Sequence, residues 1–319
     1  MTLSAILFGG GSSSFTNQGL VWTGITYGPF SPFYDMTVVG TTFCAVGGAG
    51  YTATSSNGAT WSYNYQLATT AFGTDTAWAV ATNGVHLMLG GNSGKIATSS
   101  DGGATWGYRS GLAATGWGST AAVRAIVWNA AFQDYYVFGD SGKVAYSNSG
   151  SSWTYSTSLL SSSWGSATVR GAVWTGSLFC VVGDSTQIAT STGGVWTLRY
   201  IHGPTLYDIA WNGSVFCAVG ASGTVLTSPD GITWTDRTSS LTSTPWGTGT
   251  CRAIVWTGSR FCVVGAGGRV AISPDGSTWT YTNSLSSSGT WGGRDAYSVA
   301  WNGTQIALGG ADSFTAYSG

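Results

Sequence analysis

From Cys251 to Thr282 the chain reads CRAIVWTGSRFCVVGAGGRVAISPDGSTWTYT. Three short apolar runs, AIVW, FCVV and RVAI, are broken by TGS and GAGG, and a fourth run, TWTYT, follows SPDGS. The runs are rich in β-branched and aromatic side chains, and the breaks are built from turn formers, so the pattern predicts a four-strand antiparallel meander. A lone sheet of this kind leaves an apolar face uncovered and is not stable by itself. It needs copies of itself to pack against.

The copies are present. First-strand tryptophans recur at Trp128, Trp174, Trp211, Trp256 and Trp301, spaced by 46, 37, 45 and 45 residues. Two earlier segments, from Tyr34 and from Trp78, keep the frame without that tryptophan, which makes seven first strands. Fourth-strand tryptophans number six: Trp61, Trp106, Trp153, Trp196, Trp234 and Trp279. The seventh copy reaches Gly319 without a fourth strand, while QGLVWT at residues 18–23 matches GGVWT at residues 193–197. A ring closed by both ends of the chain covers every blade face. The expectation is one all-β domain over residues 1–319. It is a seven-bladed β-propeller of four-stranded antiparallel blades starting near residues 34, 78, 124, 170, 207, 252 and 297, with an N-terminal strand over 18–23 completing the C-terminal blade. Residues 1–17 have two readings, an arm that docks on a partner or an extra edge strand.

Composition narrows the function classes. The chain is 43% hydrophobic but only 7% charged, against roughly 25% charged in ordinary soluble domains. All twelve acidic residues are Asp. A net charge of −1 gives no field favouring nucleic acid. No apolar run approaches the length of a membrane helix, and the N-terminal stretch lacks a basic n-region, so neither membrane insertion nor a signal peptide is expected. Cys44, Cys180, Cys217 and Cys262 hold one equivalent place in four repeats, which reads as core packing and not as a disulfide framework.

The turn before each fourth strand carries a further pattern. Ser99–Trp106 reads SSDGGATW, and SPDGITW and SPDGSTW recur at residues 228–234 and 273–279. Repeated on a fixed period, these resemble the Asp-box (BNR) turns of the sialidase-like and photosystem II assembly-factor-like propellers. The resemblance covers nearly the whole chain and implies the same fold. Physically the box is a turn whose Asp accepts local backbone N–H groups, so Asp101, Asp230 and Asp275 are assigned a structural role.

Candidate chemistry lies in the connections between blades. Four Ser/Thr-rich loops carry Leu and then Trp-Gly, with tryptophans Trp117, Trp164, Trp246 and Trp291. Four positions before the first-strand tryptophan, or before its equivalent in the two copies that lack it, stand Tyr34, Trp78, Arg124, Arg170, Tyr207, Arg252 and Tyr297. In register, these seven rim the channel. Together with the four loop tryptophans they are the candidate ligand- or partner-binding residues, since aromatic faces and guanidinium forks suit sugars, carboxylates and partner chains. The competing reading is that they pack blades together, because the pattern follows the repeat symmetry.

The resemblance to sialidases raises a hydrolase alternative in which Arg124, Arg170 and Arg252 imitate a carboxylate-binding triad. Without Glu the partner of the tyrosine nucleophile is missing, and a glycosidase site needs paired carboxyls. Asp35 and Asp208, directly after rim tyrosines, and Asp295 are the acids nearest the rim in sequence. No catalytic residue, metal site or cofactor is assigned; His86 and His202 lie far apart, without ligands at metal spacing. The leading expectation is a non-catalytic interaction propeller, a virion component such as a phage tail or capsid accessory protein, binding assembly proteins or a host surface glycan. The alternatives are a sialidase-like hydrolase and an assembly factor.

Overall fold

The computed structural model describes residues 6–7, 22–26, 31–200, 203–285 and 293–318. These residues form seven antiparallel sheets, six with four strands and one with five. Each of the six is a meander in chain order. In the sixth blade the strands are Cys251–Trp256, Phe261–Gly265, Arg269–Ser273 and Thr280–Ser284. First strands pack against the first strands of both neighbours all the way round, and Ala296–Trp301 against Phe33–Val39 closes the circle. The architecture is the seven-bladed propeller that the repeat predicts. Thr238–Thr242 is the one α-helix among the described residues, and none of these residues form a helix long and apolar enough to cross a membrane.

The second strand of a blade is covered on both faces, which explains its unbroken apolar run. FCVVG at Phe179–Gly183 and at Phe261–Gly265 is buried throughout. Between adjacent blades these strands build a continuous apolar layer: Cys217 and Val219 of the fifth blade meet Ile254, Val263 and Trp279 of the sixth. All five cysteines are buried free thiols. Burial pushes the Cys44 and Cys262 thiols up to about 12.

Closure comes from the N-terminal side. Trp22–Thr26 pairs antiparallel with Phe314–Ser318, from Trp22 opposite Ser318 to Thr26 opposite Phe314. Ile6–Leu7 pairs in turn with this strand and is the fifth and outermost of the last blade. The strand bounds differ from the 18–23 predicted, and residues 18–21 lie outside the described ones. In the complete blades the fourth strand begins one residue after its tryptophan, as Thr197–Tyr200 does after Trp196, whereas here the strand begins at Trp22 itself.

The Ser-x-Asp turns are held by their own backbone. Asp275 accepts the N–H groups of Ser277 and Thr278, each at 2.8 Å, and Asp230 accepts those of Ile232 and Thr233, each at 2.8 Å. Asp101 accepts from Thr105 N–H at 2.9 Å and from the Ser99 hydroxyl at 2.8 Å. Asn57 plays the same part, accepting from Ala59 and Thr60. The indole N–H of Trp279 closes its turn onto the Gly276 carbonyl at 3.1 Å.

Candidate functional site at the channel mouth

Every first strand contains a β-bulge at the same place. In the third blade Val123 pairs with Gly139 and Ala125 with Phe138, which leaves Arg124 as the extra residue. The same skip falls on Tyr34, Trp78, Arg170, Tyr207, Arg252 and Tyr297. A bulge bends the strand and re-aims the side chain it carries. Here it turns seven side chains inward, where they line one mouth of about 190 Å³ at the end of the channel.

The bulge is fixed from below by a glycine. Gly139 ends the second strand of its blade, and a Cβ there would stand 2.0 Å from the carbonyl oxygen of Ala122. That oxygen instead accepts the N–H of Asp140 at 3.2 Å. Gly265 and Thr250 repeat the arrangement, with a Cβ excluded at 2.0 Å and Ala266 donating at 2.9 Å. The turn after strand two thereby holds the chain just before the rim residue.

Around the mouth the side chains touch in sequence. Tyr34 lies 4.4 Å from Trp78 and 5.5 Å from Tyr297, centroid to centroid. The Arg124 guanidinium stands 4.4 Å over the Trp78 ring. On the other side Arg170 and Arg252 flank Tyr207 at 5.4 and 5.2 Å, and Arg252 also reaches Tyr297 at 5.7 Å. Such cation–π contacts are worth about 0.5–2 kcal/mol each, depending on exposure. They tie neighbouring members of the collar to one another.

Trp78 and the three rim arginines each have a partner outside the ring. Arg124 donates through Nε to Asp140 at 2.9 Å, and Arg170 does so to Asp184 at 2.6 Å. Trp78 donates its indole N–H to Asn92 at 2.6 Å. These partners all stand first in the turn after strand two of the same blade. Arg252 has Ala266 at that position, and Asp295 from the next blade supplies the carboxylate at 3.2 Å. The three tyrosine blades have Gly48, Ala221 and Ala311 there.

The collar opens onto a cavity of about 230 Å³, which it lines together with the residues that follow it in the first strands. The residue after each rim position is small in most blades, Ala125 and Gly171 among them, but it is Asp35 in the first and Asp208 in the fifth. Asp35 accepts the Val80 N–H of the next blade at 2.8 Å, and Asp208 accepts the Ile254 N–H at 2.8 Å. Loss of hydration outweighs these bonds and pushes both carboxyls up to about 7. Asp208 adds to the rise at Asp35.

The loop tryptophans do not join this site. Trp117, Trp164 and Trp246 are wholly buried, and their indole N–H groups are satisfied by Ala121, Ala167 and Gly249 carbonyls at 3.0, 2.8 and 2.8 Å. They pin each crossing loop to its blade beside Leu112, Leu159 and Leu241, so they offer no surface to a ligand. Trp291 lies outside the described residues, as does His202. Sequence reading did not pick out Asp140, Asp184 and Asn92 as site residues. Their signal is a polar residue at the first position of the turn after strand two, found only in blades whose rim carries Arg or Trp. Among the described residues no group of three His, Cys, Asp or Glu could hold a metal.

No protein-family model matches the chain, and comparison with curated proteins finds no match. Solved structures are similar in fold. YCF48 bound to D1 peptide aligns with a TM-score of 0.72 at 14% identity, over 93% of this chain and 94% of that one. YCF48 from Cyanidioschyzon merolae aligns at 0.67 and 15% identity, over 93% and 98%. The WD40 propeller domain of Doa1 aligns at 0.65 and 12% identity, over 99% and 97%. At such identities the likeness shows the propeller fold and nothing finer.

Proposed function

We propose that this protein is a non-catalytic interaction module that receives a protruding segment of a partner protein in its channel mouth. One observation carries the reading: seven bulges aim four aromatic rings and three arginines at a single opening. Aromatic and Arg side chains dominate the energetics of protein interfaces. A structural neighbour, YCF48, has been solved with a D1 peptide bound, which gives this fold a precedent for holding peptide. The absence of Glu, and the engagement of Asp35 and Asp208 by backbone N–H groups, support a binding role over hydrolysis.

The setting we propose is a virion or a comparable assembly. The support is compositional: a surface low in charge and rich in Ser and Thr, and reduced cysteines. A surface glycan is the second ligand class for the same aromatic collar.

Selection of a displayed random peptide library against the full chain tests the module. Selected peptides should lose about tenfold or more in affinity for a Trp78→Ala/Tyr297→Ala variant, since central aromatic anchors are worth roughly 2 kcal/mol. Peptides that bind this variant as well as the wild type would place the interaction elsewhere. Turnover of fluorogenic glycosides would overturn the non-catalytic reading.

A further inference from the structure

The cavity below the collar has a charge character opposite to that of the mouth. Arg124, Arg170 and Arg252 are each already matched by an outside carboxylate. Asp35 and Asp208 face the 230 Å³ cavity, and neither forms an ion pair among the described residues. Each uses one lone pair per oxygen on backbone N–H groups, and a carboxylate oxygen accepts two bonds. Three matched arginines and two unmatched aspartates therefore make the cavity a net acceptor of positive charge.

The route into it is built for a slender cation. A visitor passes the rings of Tyr34, Trp78, Tyr207 and Tyr297, whose faces attract cations and alkyl stems alike. Small residues such as Ala125 and Gly171 leave the tier beneath open. From these features we infer that the cavity binds an alkylammonium group, whose head contacts Asp35 and Asp208 while its stem lies within the aromatic collar. This rests on the reading of the mouth as a binding site and names the chemistry of what enters it. A guanidinium suits the place less, because its planar head is broader than a compact ammonium and must pass a mouth of only about 190 Å³.

The titratable and charged groups around the cavity are the two aspartates, the three arginines, the three rim tyrosines and, behind Asp35, the Cys44 thiol. Burial pushes both aspartates up to about 7, so they gain negative charge between pH 5.5 and 8 and binding should strengthen with pH across that window.

The test follows the Trp78 indole N–H resonance of the full-length protein during titration with n-butylammonium, with n-butanol as control. A saturable shift is expected at pH 8, about tenfold or more weaker at pH 5.5, with no response to butanol. Asp35→Asn/Asp208→Asn should abolish it; if that variant folds poorly, the wild-type pH profile and the two single variants carry the test. A lysine peptide binding much more tightly than butylammonium identifies a partner's side chain as the source. Equal binding identifies a free amine, and either result supports the site. No saturable shift, or equal binding by the Asn variants, overturns the inference. If selected peptides still require Trp78 and Tyr297 while amines ignore both aspartates, this inference alone falls and the module reading stands.

Discussion

The indole N–H of Trp78 donates to Oδ1 of Asn92 at 2.6 Å, and in the next two blades the same pair of positions holds Arg124 with Asp140 and Arg170 with Asp184. In these three consecutive blades the rim residue is matched to the turn of its own blade. Asn92→Ala should shift the Trp78 indole resonance and lower stability by about 1 kcal/mol, the worth of one hydrogen bond, measured by urea unfolding. An unmoved resonance would show that the collar does not depend on this partner.

The channel carboxylates set a pH dependence of stability. Both have folded-state values of about 7 against an ordinary 3.8. Between those values the folded chain holds more protons than the unfolded one, so stability falls as pH rises. It levels above about 7, where both states are ionised. The thermal midpoint should therefore drop from pH 5 to pH 8, and the Asp35→Asn/Asp208→Asn variant should show a smaller drop over the same window.

Trp164→Ala should cost about 3–5 kcal/mol, because it empties a fully buried indole site beneath a crossing loop. Trp164→Phe should cost less and leave peptide binding at the mouth unchanged. A binding loss in Trp164→Phe without a stability loss would return this tryptophan to the ligand site.

Asp275→Ala removes the acceptor of two backbone N–H groups and should lower stability by roughly 0.5–1 kcal/mol in chemical unfolding. Burial works against the Asp275 carboxylate, but bonds from Thr278, Ser277 and Ser273 outweigh it and hold its value below the ordinary range. Its contribution is thus present above about pH 4 and is lost as pH falls further, a window separate from that of the channel pair.

The five thiols should be inert in the folded protein. Burial raises the value of every one, and the thiolate is the reactive form. A disulfide exchange reagent at pH 8 should find no reactive thiol before denaturation and all five after it.

The blade count, the closure and the seven rim positions were legible because the repeat supplies its own alignment: Arg124, Arg170 and Arg252 stand in one frame. The bulge that aims them was not legible, since a skipped residue leaves the period unchanged. The loop tryptophans misled for a physical reason. A repeated Trp-Gly in a polar loop looks exposed until the fold shows a loop carbonyl bonded to the indole and a leucine beside it. Asp140 and Asp184 were visible as DSG and DST, but their use required knowing that the turn after strand two lies behind the rim.

The strand Trp22–Thr26 also gives the molecule an order of assembly. Tyr34 and Tyr297, neighbours in the collar, come from opposite ends of the chain, and the last blade is complete only after its N-terminal strand has joined Phe314–Ser318. Contacts this distant in sequence are entropically expensive and form late. Individual blades can therefore stack as they emerge from the ribosome while the opening stays unformed. The collar of rim residues is therefore complete only once the last blade has closed against the first.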